Sequence, residues 1–88
     1  MVYAWKITRD RFAEKCEDEP GDVGVMGPRD ADTSLLDGKT ERFSLWDDDG
    51  NCIYEGIIGG EYDGFEPLDD CGTPNFGCTA IKINGEWV

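Results

Sequence analysis

Two apolar runs, Arg42-Phe43-Ser44-Leu45-Trp46 and Cys52-Ile53-Tyr54-Glu55, flank the segment Asp48-Asp49-Gly50-Asn51. Asp-Gly between alternating hydrophobic runs predicts a type I′ hairpin, whose two turn positions need the positive φ that Asp and Gly tolerate. With Asp49-Gly50 as the loop, Leu45 faces Tyr54 and Phe43 faces Gly56 on one side of the ribbon. Trp46 faces Ile53 and Arg42 faces Ile57 on the other. Both sides carry apolar side chains, so one packs on the core and the other is covered by loops or offered to a partner. A second turn of the same kind, Asn84-Gly85, returns Glu86-Trp87-Val88 against residues 79–83, setting Lys82 opposite Trp87 and Ile81 opposite Val88. A chain built on two such hairpins is committed to an antiparallel sheet.

The remaining elements follow from period and punctuation. Residues 2–7 alternate, with Tyr3, Trp5 and Ile7 on one side of a strand and Val2, Ala4 and Lys6 on the other. Thr8 then offers a cap, Asp10 lies in a first helical turn, and Phe12 and Cys16 share a face, which predicts a short helix ending before Pro20-Gly21. Val23-Gly24-Val25-Met26 reads as a second short strand, stopped by Gly27-Pro28. Residues 29–40 read as a surface loop that drops Leu35-Leu36 into the core through one helical turn, and residues 61–78 as a turn-rich connection. The expected fold is α+β: a small antiparallel sheet of four to six short strands with one short N-terminal helix, forming a single domain over residues 1–88.

Charge narrows the function. The chain holds 20 Asp and Glu against 8 Lys and Arg, with no His, for a net charge of −12. Its aromatic content, 11%, separates it from a disordered acidic tail. Direct binding of nucleic acid calls for a basic footprint, which this composition opposes. Without His, the commonest general base and metal ligand is missing. No apolar stretch is long enough to span a membrane, and the start lacks the layout of a secretion signal, so the expected location is the cytoplasm.

The local motifs each have a plainer explanation than catalysis or metal binding. Cys16, Cys52, Cys71 and Cys78 contain no C-x-x-C pair, so reduced, buried thiols are expected rather than zinc; a Cys71–Cys78 disulfide is the covalent exception, in an oxidising environment. Aligning Gly50 with the invariant glycine of a calcium loop places Asp47 and Asp49 at ligand positions. It also puts Leu45 and Gly56 where the two anchoring ligands belong, so a solvated hairpin turn explains the residues better. Gly56-Ile57-Ile58-Gly59-Gly60 is followed by Glu61 rather than a cation, which suits a bulge or strand end and not a phosphate cradle. Paired carboxylates such as Asp69-Asp70 would need a cleft that so small a domain hardly provides. The expectation is a protein that is no enzyme and uses no cofactor or metal.

The distribution of charge is more informative. Residues 1–15 carry a balance of +2, residues 16–88 one of −14, and no basic residue occurs between Phe43 and Ile81. The candidate partner-binding residues are therefore Asp47, Asp48, Asp49, Glu55, Glu61, Asp63, Glu66, Asp69 and Asp70, with Trp46 and Tyr62 as interleaved aromatic anchors. Solubility needs a net charge of only about 2–8 in a small domain, so the excess calls for a use. Gathered into one patch, these carboxylates would present a charge density comparable to duplex DNA, with one charge per ~1.7 Å of axis, and would suit a groove built for phosphate.

Several strings, among them Trp5-Lys6-Ile7-Thr8, Gly27-Pro28-Arg29-Asp30-Ala31-Asp32, Asp47-Asp48-Asp49-Gly50 and Pro67-Leu68-Asp69-Asp70, resemble small acidic hypothetical proteins of bacteria and phages. By type, in size, acidity and lack of catalytic residues, the chain also resembles phage anti-CRISPR and other DNA-mimic inhibitors. That likeness implies an inhibitor, monomeric or homodimeric, that binds a bacterial nucleic-acid-binding complex such as a CRISPR effector and contacts neither nucleic acid nor membrane itself. The alternative is a small intracellular interaction domain with a basic protein partner and no role in defence.

Overall fold

The computed structural model describes residues 2–11, 21, 23–72 and 77–88. Six strands form one antiparallel sheet: β1 (Tyr3–Asp10), β2 (Met26–Gly27), β3 (Thr40–Trp46), β4 (Cys52–Gly60), β5 (Ala80–Ile83) and β6 (Glu86–Trp87), in the spatial order β2-β1-β4-β3-β5-β6. Helical residues among those described are Arg11, a 3-10 turn, Thr33–Leu36, and Glu66 and Pro67 leading into one π-helical turn, Leu68–Gly72. Among the described residues the fold is thus nearly all-β, and the α+β expectation is overturned.

The expected helix start fails for a physical reason. β1 is hydrogen-bonded to β2 at Trp5 and Lys6, and its pairing with β4 continues past Thr8 to Arg9 and Asp10, which holds the strand extended where one capping hydroxyl had been expected to end it. The register shifts between Ile7 and Arg9, making Thr8 the extra residue of a bulge, and its hydroxyl donates to the Glu55 carbonyl at 3.3 Å. Beyond the bulge Asp10 turns inward opposite Tyr54 and is buried. The proposed Phe12–Cys16 face lies outside the described residues.

Both hairpins form, with different turns. Phe43 pairs with Gly56, Leu45 with Tyr54 and Arg42 with Ile57, as the alternation requires. At the tip, however, the Gly50 N–H donates to the Asp47 carbonyl, the Asp47 N–H donates to the Asn51 carbonyl, and Gly50 has φ +80°. This is a turn centred on Asp48-Asp49 with glycine in the left-handed position behind it, not a type I′ turn on Asp49-Gly50. The extra loop residue shifts the register, so Trp46 pairs with Cys52 and not with Ile53. Asn84-Gly85 does form the expected turn, with φ +52° and +84°, and sets Lys82 opposite Trp87.

One face of the sheet makes the core. Trp5, Ile7, Phe43, Leu45, Tyr54, Ile58 and Ile81 project from it and are covered by Leu68, Cys71 and Cys78 of the connection from β4 to β5. The 3-10 turn sits on the other face at one end, where the row Ala4, Gly59 and Thr40 crosses three strands; the Leu35 carbonyl lies so close to Gly59 that a Cβ there would be 2.3 Å away. Leu35 and Leu36 are half-buried and not in the core as expected. The second strand is two residues long, Met26–Gly27, shorter than the Val23–Met26 run suggested. Among the described residues no helix is long and apolar enough to cross a membrane.

Candidate functional site

The acidic residues occupy three places. Asp47, Asp48 and Asp49 are at the β3–β4 tip, Glu55 is mid-strand in β4, and Glu61, Asp63, Glu66, Asp69 and Asp70 are on the connection that covers the core face. The tip and Glu61 stand at opposite ends of β4, about 26 Å apart at ~3.3 Å per residue. The structure therefore does not bring the expected residues into one patch.

Several of these carboxylates serve the fold. Asp47 Oδ1 accepts from the N–H groups of Asp49 (3.0 Å) and Asn51 (2.8 Å), bracing the tip, so only Asp48 and Asp49 of that triplet project freely. Glu66 accepts from the N–H groups of Asp63 (2.8 Å) and Gly64 (2.7 Å). Burial pushes its pKa up, but these backbone donors outweigh burial and hold it below the usual carboxylate range. Asp70 Oδ2 accepts from the Tyr3 hydroxyl (2.9 Å) and the Trp5 indole N–H (3.0 Å), tying the connection to β1. Burial, that hydrogen bond and the charges of Asp70, Glu66 and Asp69 push the Tyr3 phenol up to about 12. Glu61, Asp63 and Asp69 remain as exposed carboxylates of the connection.

Tyr62 is half-buried beside the core, its phenol pushed up to about 12 by burial and by a hydrogen bond to Glu41. Trp46 lies on the opposite face of the sheet, its indole N–H donating to Ser44 Oγ at 2.9 Å and its ring set edge-on to Trp87 at 5.5 Å. Neither aromatic is a bare anchor within an acidic patch.

Glu55 is separated most clearly. It points from the face opposite the core, where Arg9 (3.5 Å) and Arg11 (3.6 Å) pair with its Oε2. The registers place further cations on this face: Lys6 and Arg42 flank Ile57, and Lys82 neighbours Ser44 and Trp87. Of seven described cations, five (Lys6, Arg9, Arg11, Arg42 and Lys82) are thus on or reach one side of the sheet, while Arg29 and Lys39 lie between β2 and β3. Net charge, averaged over the chain, hides this separation. The pairings Arg42–Ile57 and Lys82–Trp87 were readable from the two turns, but not that the two hairpins and β1 stand side by side.

Cys52, Cys71 and Cys78 are reduced thiols, the last two buried in the core cluster. Burial, with the charges of Asp47, Cys71 and Cys52, pushes the Cys78 thiol up to about 11, which suits packing and not nucleophilic chemistry. Among the described residues no three potential ligands converge to hold a metal ion. No protein-family model matches the chain, and no curated protein or solved structure is significantly similar to it.

Proposed function

We propose that the chain is a non-enzymatic binding protein that docks its acidic side on a cationic, nucleic-acid-binding surface of a partner. It acts as a stoichiometric inhibitor of the DNA-mimicking, anti-CRISPR kind in the bacterial cytoplasm. The observation that supports this reading is the segregation of charge. Residues 61–70 carry five carboxylates and no cation, and they cover one face of the sheet while most described cations occupy the other. An outward acidic surface without compensating cations favours fast, salt-sensitive association with a basic groove. Within the acidic set, Glu61, Asp63 and Asp69 are the docking residues, with Asp48 and Asp49 as a second point of contact. Asp47 is engaged in bracing the tip, Glu66 and Asp70 in hydrogen bonds that hold the connection in place, and Glu55 belongs to the opposite side.

The test titrates the purified protein into CRISPR effectors bound to duplex target DNA and follows release of the DNA. The expected result is stoichiometric release that weakens steeply with salt and is lost in the triple variant Glu61→Lys, Asp63→Lys, Asp69→Lys. Inhibition undiminished in that variant would overturn the reading. A partner recovered from bacterial lysate that duplex DNA does not displace would instead favour an interaction domain with a basic protein partner.

A further inference from the structure

The face of the sheet opposite the core carries a second, differently charged surface. From the registers, one row crosses five strands, Arg9–Glu55–Ser44–Lys82–Trp87, and the adjacent row is Lys6–Ile57–Arg42. At ~4.8 Å between strands the longer row spans about 19 Å. Arg9, Arg42, Glu55 and Ile57 line a shallow concavity of about 380 Å³ between the rows. At the far end Lys82 Nζ lies 4.7 Å from the Trp46 ring and 4.5 Å from the Trp87 ring, and Trp87 is 58% exposed. Glu55 is the one carboxylate of these rows and is shared by Arg9 and Arg11, whose side chains remain 52% and 45% exposed. Among the described residues neither Lys6 nor Arg42 pairs with a carboxylate.

From this arrangement we infer that the open face of the sheet binds single-stranded nucleic acid. Phosphates would be taken by Lys6 and Arg42, and a base would stack on Trp87. Cations set beside an exposed indole on a flat sheet are what such a strand requires, since every base offers a π-face and every linkage a charge. An acidic peptide would meet the cations but has no planar group for the indole, and a duplex keeps its base faces stacked inside. The overall charge of −12 does not forbid this. The carboxylates of the connection lie beyond the sheet and core layer, about 10 Å or more away, which exceeds the ~8 Å Debye length at physiological salt.

The inference is independent of the proposed acidic docking surface and is tested on the protein alone. A fluorescently labelled oligothymidylate of about 12 nucleotides is titrated at low salt, reading its anisotropy and the quenching of tryptophan fluorescence. The expected result is saturable binding with quenching and a log–log salt slope of about −1.4, from two cations at ~0.7 each. The folded double variant Lys6→Glu, Arg42→Glu is expected to lose at least tenfold in affinity, and Trp87→Ala to lose most of the quenching. Absence of saturable binding overturns the inference, as does binding unaffected by either variant. Equal or tighter binding of a poly-glutamate peptide or of duplex DNA overturns it in favour of that ligand.

Discussion

The indole N–H of Trp5 donates to Asp70 at 3.0 Å, so a residue expected at a binding surface instead fastens the acidic connection to the first strand. The same carboxylate oxygen holds the Tyr3 hydroxyl. Asp70→Ala removes both bonds and leaves a buried indole N–H without its acceptor. The expected cost is about 1–3 kcal/mol in urea unfolding, with Asp70→Asn milder because the amide oxygen still accepts. In Asp70→Ala the Tyr3 phenol should also titrate lower, since two of the causes that raise it are gone.

The three tip aspartates should separate in a stability measurement. Asp47→Ala loses two backbone N–H partners and is expected to destabilise by about 1 kcal/mol. Asp48→Ala and Asp49→Ala, exposed and without such bonds, should stay within about 0.5 kcal/mol of the parent. Equal losses at all three positions would contradict the turn geometry. It follows that charge reversal for binding studies belongs at Asp48 and Asp49, with Asp47 left intact.

Gly56 is required by close approach on the core face. A Cβ there would lie 2.3 Å from the Lys6 carbonyl oxygen and 2.5 Å from Cζ of Phe43, whose ring covers the glycine on the neighbouring strand. Because the nearest atom belongs to backbone, Gly56→Ala cannot be relieved by a rotamer change. It is expected to cost at least about 1–3 kcal/mol, read as a fall in thermal midpoint. Truncating Phe43 in the same chain should not restore the parent stability.

Stability should depend on pH at both extremes. Tyr3 and Tyr62 titrate at about 12 in the folded chain against 10.0 when unfolded, so the native state holds their protons more tightly. Their contribution is fully present below pH 10 and is lost as pH rises towards 12. Glu66 has the opposite sign. Its folded pKa lies below the ordinary 4.5, so its contribution is present above that value and disappears as pH falls through the folded pKa. Ultraviolet titration of the phenols with parallel denaturant melts checks the alkaline limb, and loss of the acid limb in Glu66→Gln checks the other.

Short-range features of this protein are legible in its residues. Alternation places Phe43, Leu45 and Tyr54 on one side of a ribbon, Asn84-Gly85 dictates its turn, and the charge of the 61–70 segment is plain from composition. These depend on neighbours a few positions apart, where period and turn chemistry operate. The sequence alone leaves two local outcomes open. Asp47 draws the tip into a longer loop by accepting two backbone N–H groups, and pairing with β4 carries β1 past Thr8, where a capping signal had pointed to a helix.

The strand order β2-β1-β4-β3-β5-β6 was decided by tertiary structure. It sets the first strand beside the fourth, and the third beside the fifth, through pairings that span tens of residues and leave no periodic trace in the chain. That order turns scattered cations at positions 6, 9, 42 and 82 into one surface and sends Glu55 among them, away from the other carboxylates. Net charge is a sum and carries no direction. Direction comes from which face each strand turns outward and which strands lie next to one another.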